Sequence, residues 1–407
     1  MRVLVVVPYY KPAYIYGGPT RSTAGLCEAM VRAGHDVTVF TTDAAGNKTL
    51  DVPASRCASV SGVQVHYFRR RHAWRPMLFY SPDLARACRA GAAGYDALYI
   101  AGTWTYPLLA AAKAAIAARI PYMISPRGSF MTWAMQKGCL KKRIYLRFVE
   151  RPLIDKASEI HYTTHLEARQ AASFEFGPRP VVIPNGIETS LFCDLPEKGQ
   201  WRRKLHLTDA DRLSIFSGRL VKDKRLPLII RSFAVASNGL PSAYLAIAGP
   251  DYGERKAILK TVAELGLEKK VFLLGDLRWS ELLELYTDAD MLVMLSWRES
   301  FGMAVAEAMA AGCAVLVSED VGLADEVRCA HAGSVVPSRT PEVAREWRTM
   351  LCDSDLKALG RNGREYALQH FNSDNVAGAV VQALCRPTEA PSRSVVRATI
   401  GGDGGAS

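Results

Sequence analysis

Asp290-Met291-Leu292-Val293-Met294-Leu295, followed by Glu299-Ser300-Phe301-Gly302-Met303-Ala304-Val305-Ala306-Glu307 and then Ala308-Met309-Ala310-Ala311-Gly312, is the stretch on which the fold turns. The apolar run has the length and composition of a buried strand, and the Ala-rich stretch those of a helix closed by Gly312. Glu299 therefore falls on the connecting turn and Glu307 within the helix. A helix start offers backbone N–H groups without intrahelical partners, which suits a phosphate. Two carboxylates would repel a bare phosphate but accept hydrogen bonds from several hydroxyls, so the combination fits a sugar joined to a diphosphate. Two solvated glutamates beside an ordinary helix is the plainer alternative, since strand–turn–helix units are common in α/β proteins.

Outward from this unit the same alternation repeats. In the first half, Val- and Ile-rich runs at Val3–Val7, Asp36–Thr41, Val63–Tyr67, Asp96–Ala101, Tyr122–Ser125, Glu159–Thr163 and Val181–Pro184 are mostly separated by segments of helical character. A second series follows at Arg212–Ser217, Ala243–Ala248, Val271–Leu274, Asp290–Leu295, Ala314–Ser318 and Ser334–Val336, interleaved with helical patterns at Leu226–Val235, Arg255–Leu265 and Ser280–Tyr286. Buried-type strands alternating with helices predict parallel sheets covered by helices, and two series predict two doubly wound α/β domains. The expected division is an N-terminal Rossmann-like domain over 1–187, a linker over 188–204 and a C-terminal Rossmann-like domain over 205–372. A terminal helix over 373–386, packing back on the first domain, and a disordered tail over 387–407 complete it. Ligands of open α/β sheets bind at the carboxyl ends of strands, so the site belongs in the cleft between the domains.

Composition narrows the class. At 407 residues and 49% hydrophobic, the chain carries enough apolar residues for two substantial cores and is not a disordered polymer. The opening apolar run is too short for a signal peptide, and no apolar stretch reaches the ~18 residues a spanning helix needs. A cytoplasmic protein is expected, with membrane contact only peripheral. The 9 cysteines form neither a CxxC pair nor a Cys/His cluster, which argues for free thiols and against structural zinc; no metal site is expected. The formal charge of +11 is concentrated in places such as Arg69-Arg70-Arg71, Lys141-Lys142-Arg143 and Arg202-Arg203-Lys204, and implies an anionic partner: phosphates, anionic lipid or nucleic acid.

Two loops carry further signals. After the first strand, Tyr16-Gly17-Gly18-Pro19-Thr20 leads into a helix, and paired glycines let a backbone approach a ligand closely. It matches neither the P-loop nor the dinucleotide fingerprint, and a plain turn explains it equally well. After Arg212–Ser217 comes Gly218-Arg219-Leu220-Val221-Lys222-Asp223-Lys224. There Arg219 supplies a planar fork and Lys224 a point charge, fit to neutralise a diphosphate leaving group; a solvated basic loop is the alternative.

Gly218-Arg219-Leu220 with Lys224, the nine-residue segment from Glu299 to Glu307, and Val182-Ile183-Pro184-Asn185-Gly186-Ile187-Glu188 with Phe192 together resemble the retaining glycosyltransferases of family 4, which have the GT-B fold. The resemblance runs from residue 1 to about 372 with the three motifs in order. It implies a UDP- or GDP-sugar donor, a glycan acceptor, no cofactor, and metal-independent transfer with retained anomeric configuration and no protein nucleophile. Carried onto this chain, Arg219 and Lys224 hold the donor diphosphate, Glu299 the transferred sugar and Glu307 the ribose. The backbone of Phe301, Gly302 and Met303 lies at the sugar and phosphates, and the Gly17-Gly18 loop reaches across the cleft. Glu299, Arg219 and Lys224 would be the catalytic set, with Gly218 in the donor site.

The other wall departs from the pattern. Many relatives carry a histidine in the segment that here reads Leu98-Tyr99-Ile100-Ala101-Gly102-Thr103-Trp104, and Thr103 or Trp104 is expected to line the wall instead. Leu295-Ser296 replaces a frequent Pro-Ser, and Arg225 a frequent glycine. Arg127 in Ser125-Pro126-Arg127-Gly128-Ser129-Phe130 resembles a residue of members that build exopolysaccharide or lipopolysaccharide, fixing an acceptor group or, alternatively, pinning its own loop. Leu140, Ile144, Tyr145, Phe148 and Val149 share one helical face amid Lys137, Lys141, Lys142, Arg143, Arg147 and Arg151. A basic amphipathic helix can lie on anionic lipid, as a polyprenyl-diphosphate-linked acceptor would require; a core-facing helix with a solvated basic surface is the plainer reading. The aromatic content of His72–Tyr80 groups that cluster with the same surface. Rival functions are a nucleotide-sugar epimerase on the same fold and a basic nucleic-acid-binding protein, although no nucleic-acid motif is present and no such partner is expected.

Overall fold

A computed structural model describes residues 1–52, 57–71, 79–136, 138–353 and 355–386. Most of the 72–80 cluster, Lys137 and the 387–407 tail lie outside the described residues. The first half contributes β1 (Arg2–Val6), β2 (Asp36–Thr42), β3 (Ala44–Ala45), β4 (Lys48–Thr49), β5 (Cys57–Val60), β6 (Val63–Phe68), β7 (Ala97–Ala101), β8 (Tyr122–Ser125), β9 (Glu159–Tyr162) and β10 (Arg179–Val182). The second contributes β11 (Arg212–Ser217), β12 (Ala243–Ala248), β13 (Val271–Gly275), β14 (Met291–Met294), β15 (Ala314–Ser318) and β16 (Gly333–Val336).

They form two large sheets, ordered β10-β9-β8-β7-β1-β2-β6-β5 and β13-β12-β11-β14-β15-β16. Within these two sheets every pairing is parallel except that of β5, which runs antiparallel to β6 at the edge. The small hairpin β3–β4 and edge strand β5 lie outside the helix–strand alternation, and the sequence pattern did not predict them. Strands β1 and β14 are buried along nearly their whole length, as central strands covered on both faces must be. This is the GT-B arrangement.

In each sheet the strand order reverses once. The chain steps outward from β1 through β2 to β6, then returns to β7 on the other side of β1. It likewise steps from β11 to β13 and returns to β14 beside β11. Crevices open at such switch points because the connections leave in opposite directions. The four loops leaving β1, β7, β11 and β14 carry Gly17-Gly18, Thr103-Trp104, Arg219 with Lys224, and Glu299.

The chain crosses between the halves twice at one place. Ile187 donates its N–H to the Phe371 carbonyl at 2.7 Å and accepts from Ser373 N–H at 3.0 Å. Beyond this, the helix Ser373–Leu384 lays Val376, Ala377, Val380, Ala383 and Leu384 into the first-half core beside the helix Gly18–Arg32. Arg32 meets Asp374 at 2.7 Å on the rim.

The polar stretch read as a linker packs on the second half: Phe192 is buried, and Asp288 accepts from the N–H groups of Gly199, Trp201 and Arg202. Arg202 itself is buried against Asp290 at 2.9 Å, so this part of the basic cluster holds the fold and does not meet a partner. Arg70 is spent in the same way on buried Asp43. The reading of a core-facing helix needs correction at residues 139–154, which form Cys139–Tyr145, a π-helical turn at Leu146–Glu150 and Arg151–Ile154. The inward side chains are Leu146, Glu150, Leu153 and Ile154, whereas Leu140, Ile144 and Phe148 face solvent. Helical periodicity grouped the apolar residues correctly, but hydrophobicity alone suggested the core for a face that the fold leaves outside.

Candidate active site

Two helices start toward each other across the cleft. Gly17 precedes the helix Gly18–Arg32, Gly302 precedes the helix Met303–Ala311, and no side chain caps either start. The unpaired N–H groups there are that of Gly18 in the first helix, Pro19 having none, and those of Met303 and Ala304 in the second, where aligned peptide dipoles favour an anion. The approach is close. A β-carbon on Gly18 would lie 3.5 Å from Met303 Cγ, and one on Gly17, whose φ is +73°, would lie 3.2 Å from Arg219 Nε. Any side chain at Gly17 would crowd the guanidinium and force a left-handed backbone that only glycine adopts cheaply.

Arg219 joins the halves from the loop after β11. It donates from Nη1 to the Ile15 carbonyl at 3.2 Å, and its guanidinium carbon lies 5.8 Å from the centre of the Tyr252 ring. Lys224, on the same loop, ion-pairs with Glu299 from the loop after β14, both side chains being largely withdrawn from solvent. Gly218 opens this loop with φ at +148°, and a β-carbon there would make only ordinary contact with Lys224 Cε at 3.9 Å. An ammonium has three donors, so Lys224 can hold Glu299 and still face a phosphate. Phe301 is buried with its ring 5.7 Å from that of Phe371, leaving its backbone as what it can offer a ligand.

Glu307 is buried and accepts from Tyr286 Oη at 3.0 Å. Burial pushes its carboxyl up to about 7, against the opposing pull of Arg21 and the Tyr286 hydroxyl. Arg21 belongs to the helix begun by Gly17-Gly18, so the charge acting on Glu307 comes from the first half.

The first-half wall is built on residues that the motifs did not reveal. Glu167, fully buried, accepts from Gly128 N–H with one oxygen and from Thr163 N–H and Oγ1 with the other at 2.8 Å each. This holds Gly128 against Ser300, where a β-carbon on Gly128 would lie 2.7 Å from Ser300 Cβ. Thr164 Oγ1 donates to the Ser300 carbonyl at 3.2 Å, so this contact fixes the spacing of the two halves beside Glu299. Gly128→Ala, with φ at +84° and no room for a methyl, is expected to lower turnover about a hundredfold through misplacement of the reacting groups. Nucleotide affinity, measured calorimetrically, should change far less.

Arg127 donates to Ser22 Oγ at 3.2 Å, to Tyr99 Oη at 3.0 Å and to Asn185 Oδ1. It therefore pins its loop to the first helix, to β7 and to the crossover segment. His161 extends the network, with Nδ1 2.9 Å from Tyr99 Oη and Nε2 2.8 Å from the Ile183 carbonyl; burial lowers it to about 3, so it is neutral. Trp104 donates its N–H to Glu150 at 2.6 Å and packs on Phe130 and Tyr145. Glu150 is buried and its carboxyl pushed up to about 8 by that burial, while Oγ1 of Thr103, the residue before Trp104, is buried without a hydrogen-bond partner. A polar residue inside a strand, as in Glu159-Ile160-His161-Tyr162, and a lone glutamate ending a basic run were the sequence signals for these groups. Neither says which partner it meets.

Among the described residues no group of three or more His, Cys, Asp or Glu side chains is placed to hold a metal ion. The chain matches the model of a glycosyl transferase 4-like domain over residues 17–186 and that of the group 1 glycosyl transferases over residues 197–366. It belongs to the family-4 glycosyltransferases of GT-B type. An uncharacterized glycosyltransferase of Methanocaldococcus jannaschii is 26% identical over 397 residues, 94% of this chain and 97% of that one. The D-inositol 3-phosphate glycosyltransferase of Streptomyces bingchenggensis is 25% identical over 376 residues, 88% of this chain and 78% of that one. Anabaena HepE in complex with UDP has the same fold, with a TM-score of 0.73 at 21% identity, covering 94% of this chain and 99% of that one. The same protein has been solved with UDP-glucose.

Proposed function

We propose that the protein transfers a sugar from a nucleoside-diphosphate donor to a glycan acceptor with retained anomeric configuration and without a metal ion, in surface-polysaccharide synthesis. The observation that carries this reading is the convergence of two uncapped helix starts with Arg219, Lys224 and Glu299 across one cleft. Arg219, Lys224 and the N–H groups after Gly17 and Gly302 would hold the diphosphate and take up its growing charge as the glycosidic bond breaks. Glu299 would accept from hydroxyls of the transferred sugar and Glu307 from the ribose. The acceptor hydroxyl would enter from the first-half wall of Thr103, Trp104 and Arg127, and pass its proton to the departing phosphate. HepE's complexes with UDP and UDP-glucose favour a uridine donor over a guanosine one. Residues 1–187 would serve the acceptor and 205–372 the donor.

Thermal stabilisation by a panel of UDP- and GDP-sugars, followed by incubation of the best donor with and without glycan acceptors, tests the reading. Transfer that needs an acceptor and survives chelation is the expected result. Interconversion of the donor sugar without an acceptor would mean an epimerase.

Glu307 adds a pH signature. Ribose hydroxyls donate best to the ionised carboxylate, so UDP affinity should rise as pH passes upward through about 7 and fall by up to about tenfold per unit below it. Stability moves the other way: the folded carboxyl titrates above its ordinary value of 4.5, so its contribution is fully present below 4.5 and is lost as pH rises through about 7. Calorimetry at pH 6 and pH 8 checks the first statement, and Glu307→Gln should flatten the difference. An unchanged profile in that variant would place the ribose elsewhere.

The acceptor is proposed to be lipid-linked, with the enzyme working at the inner face of the cell membrane. No helix among the described residues is long and apolar enough to cross a membrane, so contact would be peripheral.

A further inference from the structure

Of the twelve large apolar side chains exposed among the described residues, four lie between positions 140 and 149. Leu140 is 69% exposed, Ile144 52%, Phe148 71% and Val149 37%. The first three recur at every fourth residue, which stacks them along one outward stripe of the segment 139–149. The stripe is bordered by exposed Lys141, Arg143 and Arg147, the last with its guanidinium carbon 5.8 Å from the centre of the Phe148 ring. Lys142 points the other way, donating to the Ala134 carbonyl and lying 5.8 Å over the Trp104 ring. No Asp or Glu occurs between 138 and 149, and Glu150 is buried on the opposite side.

We propose that this outward stripe is a docking surface for an anionic lipid bilayer, with Leu140, Ile144 and Phe148 entering the acyl boundary and Lys141, Arg143 and Arg147 at the headgroups. The charge decides the occupant. A second copy of the chain would bring like cations together around the same apolar stripe, whereas an anionic bilayer supplies both an apolar interior and a negative surface. Nucleic acid would satisfy the cations and leave three large apolar side chains in water. The surface is also tied to the acceptor wall, since Trp104 bonds Glu150 through its N–H and packs its ring 5.9 Å from that of Tyr145. Docking there would bring the acceptor side of the cleft close to the headgroups. For its role in catalysis, though not for binding itself, this inference rests on the proposed lipid-linked acceptor.

The test is co-sedimentation of the full chain with vesicles of phosphatidylglycerol and phosphatidylcholine, against vesicles of phosphatidylcholine alone, at about 0.15 M salt. Wild type should pellet with the anionic vesicles and remain in solution with the neutral ones. Lys141→Gln, Arg143→Gln and Arg147→Gln together should weaken binding by roughly fivefold per cation removed, and Leu140→Ser with Phe148→Ser should abolish it. All five positions are exposed, so folding should be unaffected, and UDP affinity of each variant in solution confirms that the donor site is intact. Wild-type protein that ignores anionic vesicles, or variants that bind as wild type does, would overturn the proposal. So would a dimer in solution that Leu140→Ser with Phe148→Ser converts to monomer, or equal capture by a DNA duplex. Failure of UDP binding in wild type would count against the donor reading and leave this one standing.

Discussion

Glu299→Ala is expected to lower sugar transfer by about a thousandfold or more while nucleotide binding remains measurable. The magnitude follows from the proposed place of the carboxylate at the transferred sugar, because a charged group contributes most where charge develops. The carboxylate is held by Lys224 and lies on the loop that carries Ser300, whose position the first half fixes through Gly128 and Thr164. UDP affinity should change little, because ribose and phosphates are assigned to other groups. Steady-state kinetics with calorimetry of UDP separates the two quantities. Full activity in this variant would remove Glu299 from the mechanism, whereas loss of UDP binding along with transfer would point to collapse of the loop.

Lys224→Ala should be nearly as damaging, about a hundred- to a thousandfold in kcat/KM, for two reasons that experiment can part. It deletes a positive charge from the proposed diphosphate site and leaves the largely buried Glu299 carboxylate without its partner. If the ion pair acts as a unit, Lys224→Ala combined with Glu299→Ala will be far less harmful than the product of the single effects. Additive losses would mean that the two side chains act separately despite their contact. Lys224→Arg should not restore activity, because a planar, bulkier fork cannot occupy the ammonium's place between Met294 and Glu299. Restoration by arginine would show that only net charge matters there.

The proposed donor side of the cleft was far more legible in the sequence than the first-half wall. Its groups sit in short loops directly after strongly apolar strands, so the spacing that identifies the strand also places the loop. Arg219, Lys224, Glu299 and Gly17-Gly18 could thus be set at strand ends before any geometry was known. The first-half wall is instead held by groups far apart in the chain: Glu167 reaches Gly128, Arg127 reaches Asn185, and Glu150 reaches Trp104. No local pattern encodes such pairings. Buried carboxyls and a neutral buried histidine look in sequence like any polar residue at the end of a run.

Composition misled where it was read as surface. Arg70 and Arg202 belong to conspicuous basic clusters, yet both are buried in ion pairs. The segment 139–149 misled in the opposite sense, because its apolar stripe lies outside. Amphipathic periodicity shows that a helix has two faces and is silent on which one the remainder of the chain covers.

From the sequence came the alternation of strands and helices, hence two parallel sheets, and the motif loops at their carboxyl ends, because hydrophobic period and turn chemistry are local properties. Tertiary structure decided how far apart the halves stand, which basic residues remain free and which apolar face stays bare, because each depends on contacts between segments remote in the chain.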